Sequence, residues 1–300
     1  TGIGKEAATA LAGPVICPLP QLGLLRAEGE DATSFLQNLG SNDLKRLAIG
    51  SGQWNSLNSP KGRMLANFLV SRDETGYSLI LSADLAAATQ KKLSMYVLRA
   101  KLKVTDASAT HLVMGLGGHG ARALLEKAGF TPPGAAFEVK TVNGIQLIAY
   151  PAGPGGERFL LIVPAESLAE HWKALCHAGA KPVGSTWWQR EDILAGLPWL
   201  TTATQDEFVA QMINYELLGG VSFQKGCYLG QEIIARTQHL GRLKKRMYLA
   251  SVEGPANPGQ DLYSTEFGEQ SCGKLVNVAP SFEGGSELLA VLQMRPITLN

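Results

Sequence analysis

The sequence predicts an α+β fold, with two mixed α/β lobes and a small C-terminal antiparallel β-barrel. Residues 77–85 and 158–166 both lead from an apolar strand into a helix, which indicates an internal pseudo-repeat. After Lys244, short β-like runs alternate with turns rich in Gly and Pro, a pattern typical of small antiparallel barrels. The chain has 300 residues, which is enough for two or three domains.

The first lobe is predicted to run strand, helix, three strands, helix and strand. Asp31 precedes a helix with one apolar face, and the Pro-Gly turn at 59–62 joins two strands into a hairpin. The predicted strands lie at 22–26, 53–58, 64–70, 77–81 and 102–104, and the helices at 32–39 and 84–98.

The second lobe is predicted to repeat this order. Asn143-Gly144 is a strong signal for a two-residue hairpin turn. The elements are a strand at 112–116, a helix at 121–128, a hairpin over 137–150, a strand at 159–163 and a helix at 166–177. A further helix over 186–194 carries two tryptophans, and a polar connection follows at 201–209.

These elements divide the chain into five segments. The first residues are broken by Gly13 and by three prolines, so we expect a flexible lead-in there rather than a signal sequence. The expected segments are the lead-in at 1–20, the first lobe at 21–108, the second lobe at 109–205, a motif segment at 206–242 and the barrel at 243–300.

Composition excludes several classes of function. A net charge of +1 gives no broad field to hold nucleic acid or an anionic membrane, so we expect neither partner. The apolar runs are shorter than the roughly 18 residues that span a bilayer. The 4 cysteines form no Cys-x-x-Cys pair, which argues against a disulfide framework and against a metal site of the chain's own. A reducing compartment follows, the bacterial cytoplasm or alternatively an organelle matrix.

The segment 225–232 is the most informative stretch of the chain. Gly226 and Gly230 bracket Cys227, and glycines permit positive φ angles or the close approach of a ligand. The run after Gly230 indicates a short helix or the start of a strand. If it is a helix, Cys227 lies just ahead of its N-terminus, with Lys225 and Arg236 nearby to stabilise its thiolate. The alternative is a small buried cysteine beside a tight turn.

Residues 219–232, with Ala235 and Arg236 after them, resemble the signature of the YgfZ family of folate-binding proteins. That family includes a mitochondrial factor acting late in iron-sulfur cluster assembly, and it is related in fold to the aminomethyltransferase (T-protein) of the glycine cleavage system. The resemblance implies a T-protein-like fold with interleaved lobes. It also implies a folate-binding accessory protein that supports assembly or repair of iron-sulfur enzymes and is not a conventional enzyme.

The same resemblance implies a cofactor, partners and a working residue. The cofactor is tetrahydrofolate or a related folate in a cleft between the lobes, and the partners are iron-sulfur carrier or client proteins. Cys227 is the functional residue, either as a ligand of a transient cluster shared with a partner or as a thiol that exchanges disulfides. The candidate cofactor-binding residues are Lys225, Gly226, Tyr228, Gln231, Glu232, Arg236, Trp188 and Asn67.

One basic concentration follows the motif. Its members are Arg236, Arg242, Lys244, Lys245 and Arg246. Such a cluster can attract the glutamate tail of a folate, a phosphate or an acidic protein, because Arg binds carboxylates with two parallel hydrogen bonds. The alternative is a solvated strand edge with protective cations.

Two rival functions remain open. The first is a tetrahydrofolate-dependent aminomethyl or one-carbon transferase, but the catalytic carboxylate of that family corresponds here to Ala66 or Asn67. The glutamate that faces the pterin corresponds to Leu194, which accepts no hydrogen bond through its side chain. The second is a module that binds transfer RNA through the basic cluster, which the overall neutrality disfavours.

Overall fold

The computed structural model describes residues 3–142, 144–241 and 243–294. Asn143 of the predicted turn and Arg242 of the predicted basic cluster lie outside the described residues. The α-helices of these ranges are α1 Ile3–Ala12, α2 Ala32–Leu39, α3 Ala83–Val97, α4 Ala121–Lys127, α5 Leu168–Ala178, α6 Ser185–Leu194 and α7 Gln231–His239. The strands are β1 Pro14–Pro18, β2 Leu22–Glu28, β3 Ser51–Asn58, β4 Met64–Arg72, β5 Gly76–Ser82, β6 Lys103–Asp106, β7 His111–Gly118, β8 Val139–Val142, β9 Ile145–Gly153, β10 Gly156–Pro164, β11 Lys181–Pro182, β12 Lys245–Val252, β13 Asp261–Tyr263, β14 Ser271–Pro280 and β15 Ser286–Gln293.

The pseudo-repeat predicted from the sequence is present in the sheets. The first lobe orders its strands β3-β4-β5-β2-β6, and the second orders them β8-β9-β10-β7 before adding β1 and β11. Each lobe therefore runs β-α-β-β-β-α along the chain with the same spatial order. The repeat places two mixed lobes around one shared core, which confirms the predicted α+β class.

The N-terminal segment differs from the flexible lead-in expected over 1–20. Helix α1 is followed by β1, whose Val15, Ile16 and Cys17 are fully buried. β1 pairs antiparallel with β7 and parallel with β11. Pro14 and Pro18 occupy the two ends of this strand, where a missing N–H costs least. The lobes thus interleave, because a strand that precedes the first lobe completes the sheet of the second.

An aromatic cluster joins the two lobes in the interior. The ring of Trp54 on β3 meets Phe137, Tyr150 and Trp199 edge-on, at centroid distances of 5.9, 6.0 and 5.3 Å. Such edge-to-face pairs add about 0.5–1.5 kcal/mol each beyond the apolar area they bury. This cluster fixes the connection after α6 against both lobes.

The C-terminal segment forms the small antiparallel β-structure that the sequence predicts, as a sheet of four strands without a shown closure into a barrel. Its order is β12-β15-β14-β13, and among the described residues no pairing between β12 and β13 closes it. The three-residue β13 pairs with β14 at one edge of this sheet. The sheet is fastened to α6, because Arg190 forms an ion pair with Glu287 at 2.6 Å.

Candidate functional site

The loop that carries Cys227 is anchored by Lys225. This lysine is 7% exposed, and its ammonium donates hydrogen bonds to the carbonyl oxygens of Gln37, Gly40 and Asn42 at 2.6, 2.5 and 2.9 Å. Gly40 is the residue that ends α2, where unpaired carbonyls favour a positive charge. Lys225 therefore ties the motif loop to the C-terminal end of α2.

This placement gives Lys225 a structural role that the sequence did not predict. Burial lowers the pKa of its ammonium to about 8, although the negative charge of Asp43 raises that pKa in part. The ammonium also lies 5.0 Å from the ring centroid of the buried Tyr228. Its ammonium donates its hydrogen bonds to backbone carbonyls, so Lys225 serves as an anchor of the loop. Its contacts with a cofactor and its effect on the thiol stay predictions.

Cys227 is exposed on this loop, four residues before α7 begins. The sequence expectation of a thiol ahead of a helix N-terminus is therefore confirmed, and the alternative of a buried cysteine is wrong. Of the other motif residues, Gln231 is half-buried, and Glu232 and Arg236 are exposed on α7. The contacts of these three side chains with a cofactor stay predictions.

The two motif glycines have different physical roles. Gly230 has φ +81°, and a Cβ there would lie 2.5 Å from the carbonyl oxygen of Ser59. Gly62 in the same hairpin turn has φ +71° and lies against Ile233 of α7. Gly226 has neither a positive φ nor an atom within 4 Å of a Cβ position. The hairpin tip and α7 interlock through Gly230 and Gly62, whereas nothing in the fold requires a glycine at 226.

One member of the predicted basic cluster is paired within the fold. Arg246 forms an ion pair with the largely buried Glu216 at 2.5 Å, so the fold uses its charge. Arg236 and Lys244 are exposed and Lys245 is half-buried. Arg246 is therefore less available to an anion than the sequence predicts, and anion binding by the other cations stays a prediction.

Asn67 and Trp188, both predicted to contact a cofactor, are buried in the interior. Asn67 is 1% exposed, its amide donates to the carbonyl of Pro198 at 2.8 Å, and its oxygen accepts from the backbone N–H of Leu200 at 2.8 Å. Trp188 is fully buried against Gly115. Both side chains are buried, and the indole Nε1 of Trp188 has no hydrogen-bond partner in the described structure. Their contacts with a cofactor stay predictions.

A buried ion pair that sequence reasoning missed lies behind the inter-lobe core. Arg158 donates to Asp192 at 2.7 Å, and the indole N–H of Trp199 donates to the other carboxylate oxygen at 3.0 Å. Burial raises the pKa of Asp192, and the charge and hydrogen bond of Arg158 lower it. The only sequence signal was a charged residue at the start of an apolar strand and another within a tryptophan-bearing helix.

A cavity of about 370 Å³ lies where three parts of the chain meet. It is bounded by the start of α3, by the end of α6 with the connection after it, and by β14. Its lining residues are Gln21, Leu22, Ser82, Ala83, Asp84, Gln189, Asp192, Ile193, Leu197, Trp199, Thr201, Pro258, Asn277 and Val278. None of the motif residues lines it, so the structure separates Cys227 from this cavity.

Within the described ranges, no group of three His, Cys, Asp or Glu side chains is placed to hold a metal ion. In the same part of the chain, no helix is long and apolar enough to cross a membrane.

Comparison with known proteins agrees with this architecture. A family model described as the GCVT N-terminal domain matches residues 1–188. The fold is similar to that of a glycine cleavage system aminomethyltransferase T from Bartonella henselae, with a TM-score of 0.83, 17% identity, and coverage of 97% of this chain and 81% of that one.

Two curated relatives are also similar in sequence. A tRNA-modifying protein YgfZ of Pectobacterium carotovorum is 31% identical, over 83% of this chain and 73% of the relative. A protein of the same name from Klebsiella pneumoniae is 30% identical, over 81% of this chain and 74% of the relative. The chain therefore belongs to the YgfZ family, whose members share the fold of the glycine cleavage aminomethyltransferase.

Proposed function

We propose that this protein is a folate-binding accessory protein that supports the assembly or repair of iron-sulfur enzymes through Cys227. The observation that carries the proposal is an exposed thiol on a loop that Lys225 anchors with three hydrogen bonds. A thiolate is the form of cysteine that binds iron and attacks disulfides. The chain supplies this one ligand, and a carrier or client protein supplies the others.

The residues present argue against one-carbon transfer as the main activity. A transferase needs a group that orients or deprotonates the folate nitrogen. At the matching position Asn67 uses both polar atoms of its amide to hold the backbone at 198–200, and Leu194 replaces the pterin-facing glutamate. An accessory role therefore fits the chain better than catalysis of aminomethyl transfer.

Folate binding is supported by the fit of the 370 Å³ cavity. Ligand pockets in proteins span about 300–1,000 Å³, with mostly apolar walls and a few polar groups. This cavity has Trp199, Leu197 and Ile193 as apolar walls and the Asp192 carboxylate among its polar groups. The residues thus suit the pterin ring of a folate, which when bound would supply a carrier of one-carbon units.

The names of the relatives suggest which client enzymes depend on the protein. Both are called tRNA-modifying proteins, and we propose that an enzyme of tRNA modification is among the clients. Direct binding of tRNA is a second candidate function, favoured by the exposed Arg236 and Lys244. The use of Arg246 by Glu216 weakens that candidate, because phosphate binding depends on several free cations.

Complementation of cells that lack this protein tests the proposal. We would measure the activity of a 4Fe–4S enzyme and the modified nucleosides of total tRNA. Wild type and Cys272→Ala, a half-buried thiol bonded to the Leu262 carbonyl, should restore both, and Cys227→Ala should restore neither. Full restoration by Cys227→Ala would overturn the role of the thiol. If deletion of the protein leaves the activity of iron-sulfur enzymes unchanged, the proposal is wrong, and one-carbon transfer is the activity to test next.

A further inference from the structure

The end of α3 presents two large apolar side chains to solvent. Leu98 is 89% exposed, and Met95 is 70% exposed. Lys91, Met95 and Leu98 follow one another at spacings of four and three residues, so they lie along one side of the helix and its end. Arg99 and Lys101 come directly after them and are also exposed. We call these five residues the Leu98 patch.

Leu98 is held in a backbone conformation that suits glycine. The N–H of Ala100 donates to the carbonyl of Val97 at 2.7 Å, which closes a turn with Leu98 as its second residue. Leu98 has φ +42° and ψ −101°, and turns with a positive φ at this position mostly carry Gly, Asn or Asp there. Because the side chain is almost fully exposed, the fold gains little from a leucine here and is strained by it.

The charges around these apolar side chains have one sign. Residues 85–105 contain no Asp or Glu and five cations, which are Lys91, Lys92, Arg99, Lys101 and Lys103. Of these five, only Lys101 has an ion-pair partner among the described residues, the exposed Glu30 at 3.0 Å. In a chain with a net charge of +1, this segment is a local positive field that attracts a negatively charged partner.

The combination of apolar and cationic side chains favours a protein as that partner. Exposed apolar side chains ringed by polar ones mark contact surfaces. A nucleic acid would pair its phosphates with the cations but leave Met95 and Leu98 without an apolar contact. An anionic bilayer would meet Glu30 and Asp31, whose carboxylates bind the side chain and the backbone N–H of Lys101. A protein surface can place its own charges around these two carboxylates, which a uniform layer of anionic headgroups cannot do.

We propose that the Leu98 patch docks an acidic segment of a partner protein, in which Asp or Glu side chains flank an apolar surface. Met95 and Leu98 are the apolar anchors, and Lys91 and Arg99 pair with the flanking carboxylates. This docking goes beyond the proposed function and does not depend on it, because neither the Cys227 thiol nor folate binding enters the argument.

Leu98→Gly separates docking from folding. Glycine adopts the conformation of this turn without strain, so the variant should have a thermal midpoint about 1–3 °C above wild type while the anchor is lost. Leu11→Gln is the matched control, since Leu11 is 68% exposed on α1, and it should keep the midpoint within about 1 °C of wild type. A thermal midpoint of Leu98→Gly below that of wild type would show that the leucine serves the fold and would overturn the proposal.

Photocrosslinking in cells identifies what covers the patch. The probe is p-benzoylphenylalanine in place of Leu98 in the full chain, and the crosslinked peptide is sequenced by mass spectrometry. We expect a peptide of another protein in which Asp or Glu residues flank apolar ones. Lys91→Glu with Arg99→Glu in the same chain should lower the yield of this adduct about tenfold, and the probe in place of Leu11 should not form it.

The partner identified in this way is then purified and titrated with the unlabelled protein. Leu98→Gly should weaken its binding about tenfold, and Leu11→Gln should leave binding unchanged. An adduct with lipid, with RNA or with a peptide that lacks acidic residues would overturn the proposal, and so would the absence of any adduct. A yield that is unchanged by the two charge reversals, or an affinity that is unchanged in Leu98→Gly, would also overturn it.

Discussion

Replacement of Lys225 by methionine tests the anchoring of the motif loop. The change keeps the aliphatic length of the side chain but removes the donor of three hydrogen bonds, to Gln37, Gly40 and Asn42. A hydrogen bond to a charged group contributes about 1.5–3 kcal/mol to stability. Part of this loss is offset, because the variant no longer has a charged ammonium that must be desolvated on folding. We expect the free energy of unfolding to fall by about 2–4 kcal/mol.

Urea unfolding of the wild type and Lys225→Met measures this loss, and hydrogen exchange of residues 223–230 shows where it acts. The exchange of the loop amides should rise more than that of the core strands, because the anchor holds only this loop to α2. Lys61→Met is the matched control, since Lys61 is exposed at the hairpin tip and should change stability by less than about 0.5 kcal/mol. A Lys225→Met protein as stable as that control would refute the anchoring.

Three further predictions follow from other contacts. Burial raises and hydrogen bonds from Arg26 and Thr75 lower the pKa of Asp73, which settles at about 2, below its ordinary 3.8. The ionised Asp73 carboxylate therefore stabilises the fold fully above pH 3.8, and this stabilisation is lost as the pH falls through 2. When the free energy of unfolding is measured against pH, the wild type should lose about 1–2 kcal/mol over this range after solvent screening, and Asp73→Asn should not. Gly230→Ala should lower the free energy of unfolding, measured in urea, by more than about 2 kcal/mol, whereas Gly226→Ala should lower it by less than about 0.5 kcal/mol. Equal losses would contradict the different roles of the two glycines. Asn67→Asp should destabilise the protein by about 2–4 kcal/mol at neutral pH, because the change places a buried carboxylate against the Pro198 carbonyl. We expect this variant to have no transferase activity. Wild-type stability, or methylene-tetrahydrofolate formed in a coupled assay, would refute the prediction.

Local sequence signals were sufficient for most of the secondary structure. The helix predicted over 186–194 is α6 Ser185–Leu194, and the predicted helix after Gly230 is α7 Gln231–His239. Such elements are fixed by periodicity and by glycines or prolines near their ends, which are local properties of the chain. The pseudo-repeat could be recognised for the same reason, because both lobes repeat these local patterns.

The N-terminal segment and the C-terminal sheet were outside the reach of local patterns. β1 is a strand because β7 and β11 accept its backbone hydrogen bonds, and both lie about a hundred residues or more away in the chain. Likewise, short alternating strands are compatible with a closed barrel or an open sheet, and only the pairing of the edge strands distinguishes them.

The sequence by itself determined the fold class, the family signature and the thiol that precedes α7. Only the tertiary structure decided what the neighbouring charges do. Lys225 donates hydrogen bonds to the end of α2, and Arg246 forms an ion pair with Glu216. It also decided that Asn67 and Trp188 are buried, and that Asp192 reaches a cavity between distant segments. The physical reason is that burial and electrostatic partners depend on contacts between residues far apart in sequence, which no local pattern encodes.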